Sequence, residues 1–242
     1  DRKARLLASM QAANIDALLM FRQESMYWLT GYDTFGYVYF QSRVLTADGR
    51  VVLMTRAPDL RQAQNTSNIA DIRIWIDRDG ASPADDLRAI LDELALAGSR
   101  LGVEYEAYGL TGRNAMRLDA ALDGFATLAD ESEMVSRLRL VKSAAEIAYT
   151  RRAGALADDA LDAAHALIDS GVDEGDILAA MHSAIYRGGG DDPGNEFVIG
   201  SGPDALLCRY KSGRRPLDAE DQLTLEWAGA YRHYHAAMMR TI

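Results

Sequence analysis

The sequence of 242 residues has one cysteine, Cys208, and no apolar stretch near the roughly 18–20 residues that a membrane-spanning helix needs. A single cysteine excludes an internal disulfide framework and is typical of a reducing compartment. Basic residues are in the minority, with 26 Lys and Arg against 36 Asp and Glu. Because phosphate binding needs clustered cations, this balance argues against nucleic acid as a partner. We therefore expect a cytoplasmic protein with no nucleic acid or membrane partner.

What the chain does contain is typical of a folded globular protein. Hydrophobic residues make up 48% and charged residues 26%, and the net charge is −10. The length allows one large domain or two of ordinary size. The pattern changes near residue 130, where we place a domain boundary, so that we expect domains at 1–130 and 131–242.

Helical and strand patterns alternate through residues 1–130. Residues 2–14 have helical spacing, and residues 16–21 are typical of a buried strand. Asp48 and Gly49 lie between two β-rich runs, at 37–40 and 51–54, which predicts a hairpin because such turns need positive φ. This alternation predicts an α/β domain with a mixed sheet.

The second part begins with helices and ends with short strands. Ser143 and Glu146 have the spacing of a capping box, which predicts a helix start. Strand patterns follow at residues 196–199, 222–227 and 232–241.

Glu226 is the candidate catalytic residue of the last strands. Leu225 and Trp227 flank it and share the opposite face, so that the Glu226 side chain points away from them. If the chain turns at residues 228–230, His233 and His235 come to lie opposite the carboxylate, as in a metal site or an acid/base pair. The alternative is a solvent-facing carboxylate.

Three further features have simpler interpretations. Residues 200–204 form a glycine-rich turn without the lysine of a phosphate-binding loop, and a plain turn is expected. Cys208 has no neighbouring base and is interpreted as structural. Aromatic residues are concentrated at 27–40, and those of the loop at residues 30–36 are candidates to line a pocket.

Three segments together resemble the creatinase/aminopeptidase P/prolidase family. They are residues 138–147 (LRLVKSAAEI), residues 197–205 (FVIGSGPDA) and residues 225–241 (LEWAGAYRHYHAAMMRT). The resemblance implies an α/β creatinase-like N-terminal domain at 1–130. It also implies an α+β "pita-bread" catalytic domain, of which residues 131–242 form the first half and are expected to be inactive alone.

The sequence departs from the metal-dependent members of that family. Those members carry aspartates at two hairpin positions eleven residues apart, which here are Glu226 and Ala237. A histidine that they carry in the preceding segment corresponds to Arg209. Alanine has no lone pair to offer a metal, and a guanidinium repels a cation. The resemblance therefore implies the metal-free branch, with no metal and no cofactor.

That branch hydrolyses C–N bonds in small polar compounds, and the segment around Glu226 is most similar to its ectoine-hydrolysing members. The implied reaction opens the cyclic amidine of ectoine to N-acetyl-diaminobutyrate. Hydrolysis of creatine is the nearest alternative. A metal-dependent Xaa-Pro peptidase or lyase, and a binding protein without activity, are the others.

The resemblance also assigns roles to four residues. Glu226 pairs with the amidinium or attacks its electrophilic carbon. The planar fork of Arg209 suits the carboxylate of the substrate. Phe35 or Tyr37 covers the cation with its aromatic face. In this family the covering loop comes from a neighbouring subunit, so we expect a homodimer whose site is completed by the partner's N-terminal domain.

Overall fold

The computed structural model describes residues 2–207, 209 and 211–242, with the side chain of Tyr37 outside the description. The chain divides into two compact units, Asp1–Val141 and Lys142–Ile242. This division lies beyond residue 130 because Met134 and Val135 are buried in the core of the first unit with Leu6 and Met10. Within the described ranges, no helix has both the length and the apolar character needed to cross a bilayer.

The first unit is a mixed sheet with helices on both faces. Its strands are β1 (Ala17–Met20), β2 (Ser42–Thr46), β3 (Val51–Arg56), β4 (Asp71–Trp75), β5 (Arg100–Val103) and β6 (Thr127–Asp130). Its helices are α1 (Arg2–Ala12), α2 (Gln23–Thr30), α3 (Leu60–Thr66), α4 (Pro83–Glu93), α5 (Gly112–Leu122) and α6 (Met134–Leu140). The strand order is β4-β3-β2-β1-β5-β6. Pairs β1–β5, β5–β6 and β3–β4 are parallel and the other two antiparallel, which confirms the α/β prediction.

The hairpin at Asp48 and Gly49 is confirmed, but its first strand differs from the prediction. Gly49 has φ 89°, which a glycine adopts without strain. The chain at Gly36–Val38 is a 3₁₀ turn, and β2 begins only at Ser42. Val38 and Tyr39 are both exposed, so the aromatic run lacks the alternating burial that would make it a strand.

A buried carboxylate, Glu104, holds the start of α2. The backbone N–H groups of Phe21 and Arg22 each donate to Glu104 Oε2 at 2.9 Å, and the Ser25 hydroxyl donates to Oε1 at 2.5 Å. The side chain has no exposed surface. Burial is the largest influence and raises the pKa of Glu104 from 4.5 to about 7. A proton on this carboxyl is therefore bound more tightly in the folded state than in the unfolded state.

We expect the free energy of unfolding to fall by up to about 3 kcal/mol through Glu104 as the pH rises from 4.5 to 7. In this window the folded protein binds more protons than the unfolded chain, so each loss of a proton favours unfolding. Urea unfolding at several pH values measures this slope. Glu104→Gln keeps an oxygen acceptor and removes the titration, so its slope should be flatter. The exposed Glu24→Gln serves as control, and equal slopes for Glu104→Gln and the wild type would contradict the assignment.

The second unit is a three-stranded antiparallel sheet packed on two helices. The helices are α7 (Ala144–His165) and α8 (Glu174–Arg187), and the strands are β7 (Val198–Ser201), β8 (Leu223–Tyr231) and β9 (Tyr234–Thr241), in the order β7-β8-β9. The predicted capping box is confirmed, because the Ser143 hydroxyl accepts from Glu146 N and the Glu146 carboxylate accepts from Ser143 N. The core of the unit lies between the helices and one face of the sheet.

The turn that joins β8 to β9 is not at residues 228–230, as the sequence pattern predicted. Ala228 and Ala230 are paired within the ladder, opposite Ala237 and His235. The chain reverses at residues 232 and 233, where Arg232 and His233 have φ values of 51° and 62°. These are left-handed conformations without glycine, which a sequence pattern does not reveal.

Gly229 has a different role, in the packing of β8 on α7. A Cβ at this position would lie 2.0 Å from the carbonyl oxygen of Ala153 and 2.7 Å from the amide nitrogen of Ala157. The indole of Trp227 donates to the carbonyl of Ala157 at 3.0 Å, beside this close approach. The backbone of the strand thus rests directly on the backbone of the helix.

Candidate functional site

The alternation of β8 places Glu226 on the open face of the second sheet. Leu225 and Trp227 are buried on the opposite face, against α7 and α8, as the sequence predicted. In the ladder, Glu226 is opposite Val198 of β7 and Met239 of β9. Met239 is 49% exposed whereas Val198 is buried, so the carboxylate is accessible from the β9 side of this face.

The Glu226 side chain is half-buried. Among the residues that the structure describes, none forms a hydrogen bond or ion pair with its carboxylate. Its neighbours across the ladder, Val198 and Met239, are apolar. A carboxylate in such surroundings binds a cationic, hydrogen-bond-donating ligand more strongly than a fully hydrated one does.

The structure does not place the two histidines opposite Glu226. His233 lies in the turn, and His235 is paired with Ala230, four residues along β8 from Glu226, or roughly 13 Å. His235 Nε2 accepts from the Gly194 N–H at 2.9 Å, and its Nδ1 lies 3.0 Å from the His233 carbonyl. Both ring nitrogens therefore have backbone partners, and the hairpin does not form the metal or acid/base pair considered from the sequence.

Ala237 occupies the second hairpin position, where the metal-dependent members of the resembled family carry an aspartate. It is paired with Ala228 and faces the same side of the sheet as Glu226. Over the described parts of the chain, no group of three or more His, Cys, Asp and Glu side chains is arranged to hold a metal ion.

Arg209 lies in the segment between the 3₁₀ turn Gly202–Asp204 and β8, and its side chain is exposed. It makes no hydrogen bond to Glu226. Its neighbour Cys208, interpreted from the sequence as structural, lies outside the described residues. The binding of a substrate carboxylate by Arg209 stays a prediction.

Phe35 and Tyr37 belong to the first unit, whereas Glu226 and Arg209 belong to the second. Phe35 is 76% exposed and directly precedes the 3₁₀ turn Gly36–Val38. The side chain of Tyr37 lies outside the described part of the chain. The covering role of these two aromatic residues stays a prediction.

The sequence analysis missed a polar network beneath the glycine-rich turn. The backbone N–H and the hydroxyl of Ser201 donate to Glu174 Oε1 at 2.9 and 2.7 Å. Arg215 Nη1 donates to the Ser201 hydroxyl at 2.7 Å and forms an ion pair with Asp221, while Arg215 Nη2 forms an ion pair with Asp218. A hydrogen bond from the Asp218 backbone and the Arg215 cation keep the pKa of Asp221 below its usual range. Glu174, Ser201 and Arg215 are distant from one another in sequence, so a local pattern does not reveal their contacts.

Two family models match the chain along most of its length. The first is the Creatinase/Prolidase N-terminal domain, at residues 2–141, and the second is metallopeptidase family M24, at residues 148–242. The gap between the matches includes the division between the two compact units.

The similar proteins include an ectoine hydrolase and an Xaa-Pro dipeptidase. The ectoine hydrolase of Halomonas elongata is 26% identical, over 96% of this chain and 62% of its own. A Pyrococcus horikoshii Xaa-Pro dipeptidase is 23% identical, over 100% and 64%. An uncharacterized hydrolase/peptidase of Sinorhizobium fredii is 29% identical, over 100% and 64%. The chain thus spans less than two thirds of the length of these relatives.

The fold is that of solved prolidases. Recombinant prolidase from Thermococcus sibiricus matches with a TM-score of 0.85 at 18% identity, covering 100% of this chain and 64% of its own. The prediction of a creatinase-like α/β domain followed by pita-bread elements is confirmed by this match and the two family models. The chain belongs to the creatinase/prolidase family, with a creatinase-type N-terminal domain followed by part of an M24 domain.

Proposed function

We propose that the complete protein is a metal-independent hydrolase that opens a small cyclic amidine, with ectoine as substrate. The observation that carries the proposal is Glu226, a half-buried carboxylate that has no partner within the described part of the chain. An amidinium is planar and positively charged and donates hydrogen bonds, so it complements this carboxylate. The similarity to an ectoine hydrolase supports the choice of substrate.

The proposed reaction adds one water across a C–N bond. Glu226 either holds the amidinium while water attacks its central carbon, or attacks that carbon itself and is then displaced from it by water. In both cases the electron pair of the breaking C–N bond goes to the ring nitrogen, which takes a proton. The oxygen of water ends on the former amidine carbon, giving N-acetyl-diaminobutyrate. Arg209 binds the substrate carboxylate with its two-pronged guanidinium. Phe35 or Tyr37 of the neighbouring subunit in a homodimer covers the cation.

The residues present do not fit the two-metal centre of the metal-dependent relatives. Ala237 offers no lone pair where those relatives have an aspartate, and the guanidinium of Arg209 opposes a dication. We therefore assign no step of the reaction to a metal ion.

Ectoine turnover by the complete protein, followed by mass spectrometry, tests the proposal. One arm contains a chelator and the other an added divalent metal. We expect a product heavier than ectoine by one water in both arms, at equal rates. Turnover in the metal arm alone would contradict the metal-free assignment.

A metal-dependent Xaa-Pro dipeptidase is the second candidate, because an enzyme of that name is 23% identical over the whole chain. Parallel arms with an Xaa-Pro dipeptide and with creatine separate the candidates. Dipeptide cleavage that requires metal would replace the proposed function, and creatine hydrolysis would change the substrate but keep the reaction type. Binding of ectoine without turnover would indicate a binding protein.

A further inference from the structure

The segment 202–222, which joins β7 to β8 and carries Arg209, is closed at its base. The backbone N–H of Gly202 donates to the carbonyl of Gln222 at 2.9 Å, which brings the two ends together. Between these ends, the Arg215 side chain reaches back to the Ser201 hydroxyl at 2.7 Å. The base of the segment is therefore held by backbone and side-chain bonds at once.

Arg215 connects three carboxylates at the base of the segment. It forms ion pairs with Asp218 and Asp221, and through the Ser201 hydroxyl it connects to Glu174. Glu174 is fully buried, and among the described residues its Oε2 has no hydrogen-bond partner. Asp221 is 11% exposed and also accepts from the Asp218 N–H at 2.8 Å. Asp218 is 78% exposed, so Asp221 is the buried partner of the two.

The backbone is shaped around this network. Gly202 has φ 52°, and a Cβ there would lie 2.3 Å from Asp221 Oδ1 and 3.1 Å from Arg215 Nη1. Only glycine allows the turn to approach the two side chains so closely. The network is thus built against the main chain of the turn that leads into the segment.

Further bonds extend from the base towards Arg209. Lys211 forms an ion pair with Asp204, across the part of the segment that contains Arg209. Arg214, next to Arg215, donates to the carbonyl of Lys211 at 3.0 Å. Arg209 therefore lies in the chain between Asp204 and Lys211, which pair with each other. Lys211 is bonded in turn to Arg214, the neighbour of Arg215.

We propose that Arg215, paired with Asp221 and connected through Ser201 to Glu174, is a positioning residue that fixes the segment 202–222 for substrate binding by Arg209. The inference rests on the proposed function for the role of Arg209. A guanidinium serves here because its two Nη atoms reach three acceptors, those of Ser201, Asp218 and Asp221, whereas a lysine ammonium is a single point charge. Without the network, Arg209 would still be present, but the segment that carries it would no longer be held in one conformation.

The test compares Arg215→Lys and Asp221→Asn with the matched control Asp218→Asn in the complete protein. For ectoine we expect KM to rise about tenfold or more in the first two variants, with kcat within about twofold of wild type. Asp218→Asn, which removes only the exposed partner, should stay close to wild type. Amide hydrogen exchange of peptides covering 203–213 should accelerate in Arg215→Lys and Asp221→Asn and not in the control.

The two readouts separate this inference from the proposed function. If the wild type does not turn over ectoine, the proposed function fails, and exchange alone decides whether the network fixes the segment. Unchanged exchange in both variants would overturn the inference. A loss of kcat together with a lower Tm would also overturn it, because that result describes a general loss of folding. A rise in KM with exchange confined to 203–213 supports it.

Discussion

Glu226→Gln in the complete protein should lower kcat for ectoine by roughly 1,000-fold or more. Glutamine has nearly the same shape but no negative charge, so it neither neutralises an amidinium nor attacks its carbon. The carboxylate has no protein partner among the described residues, so the substitution breaks no bond within that part of the protein, and we expect Tm to stay close to that of the wild type. Steady-state turnover by mass spectrometry, with Tm measured in parallel, gives both results.

Two further variants make the result for Glu226 specific. Glu220→Gln alters an exposed carboxylate just before β8 and should keep wild-type turnover. Glu226→Asp keeps the charge but withdraws it by one methylene, and an intermediate loss is expected. Wild-type turnover in Glu226→Gln would remove this residue from the mechanism, whichever of its two roles is considered.

Gly229→Ala is expected to lower the free energy of unfolding by roughly 3 kcal/mol or more. The new methyl group would lie 2.0 Å from the Ala153 carbonyl oxygen, so α7 and β8 would have to separate. Both neighbours are backbone atoms of a long helix, which cannot move aside as a flexible side chain can. Urea unfolding, followed by tryptophan fluorescence and far-UV circular dichroism, measures the decrease in the free energy of unfolding.

Gly154→Ala is the matched control on the same interface. A Cβ at Gly154 would meet only the Ala236 Cβ, at 4.0 Å, which is an ordinary contact. Because alanine is the better helix former, we expect this variant to gain about 0.5–1 kcal/mol. Similar stability for Gly229→Ala and Gly154→Ala would show that the close approach of strand and helix is not tight in solution.

The sequence was sufficient where the signal is local. The hairpin at Gly49, the capping box at Ser143 and the face of Glu226 each depend on residues within a few positions, and all three are confirmed. Gly229 was misinterpreted as a turn glycine. Glycine is needed at this position because β8 packs closely on α7, a helix far away in the sequence. The turn itself is formed by Arg232 and His233.

The candidate site was only partly predictable, for a related reason. The network of Glu174, Ser201 and Arg215 joins three separate segments, and no spacing rule connects them. The roles of Arg209, Phe35 and Tyr37 came from resemblance and stay predictions, because the contacts of a substrate are absent from a sequence pattern. Glu226 was accessible to sequence reasoning because strand periodicity alone decides its face.

The close packing of Gly229 on α7 also affects the position of Glu226, which lies three residues earlier on the same strand. At Gly229 the backbones of β8 and α7 are in direct contact, with no side chain between them. A displacement of α7 should therefore also displace β8. The reversal at Arg232 and His233, by contrast, lies at the far end of the ladder from Glu226. Substitutions at this turn should therefore change the catalytic rate less than substitutions on the face of α7 that packs against β8.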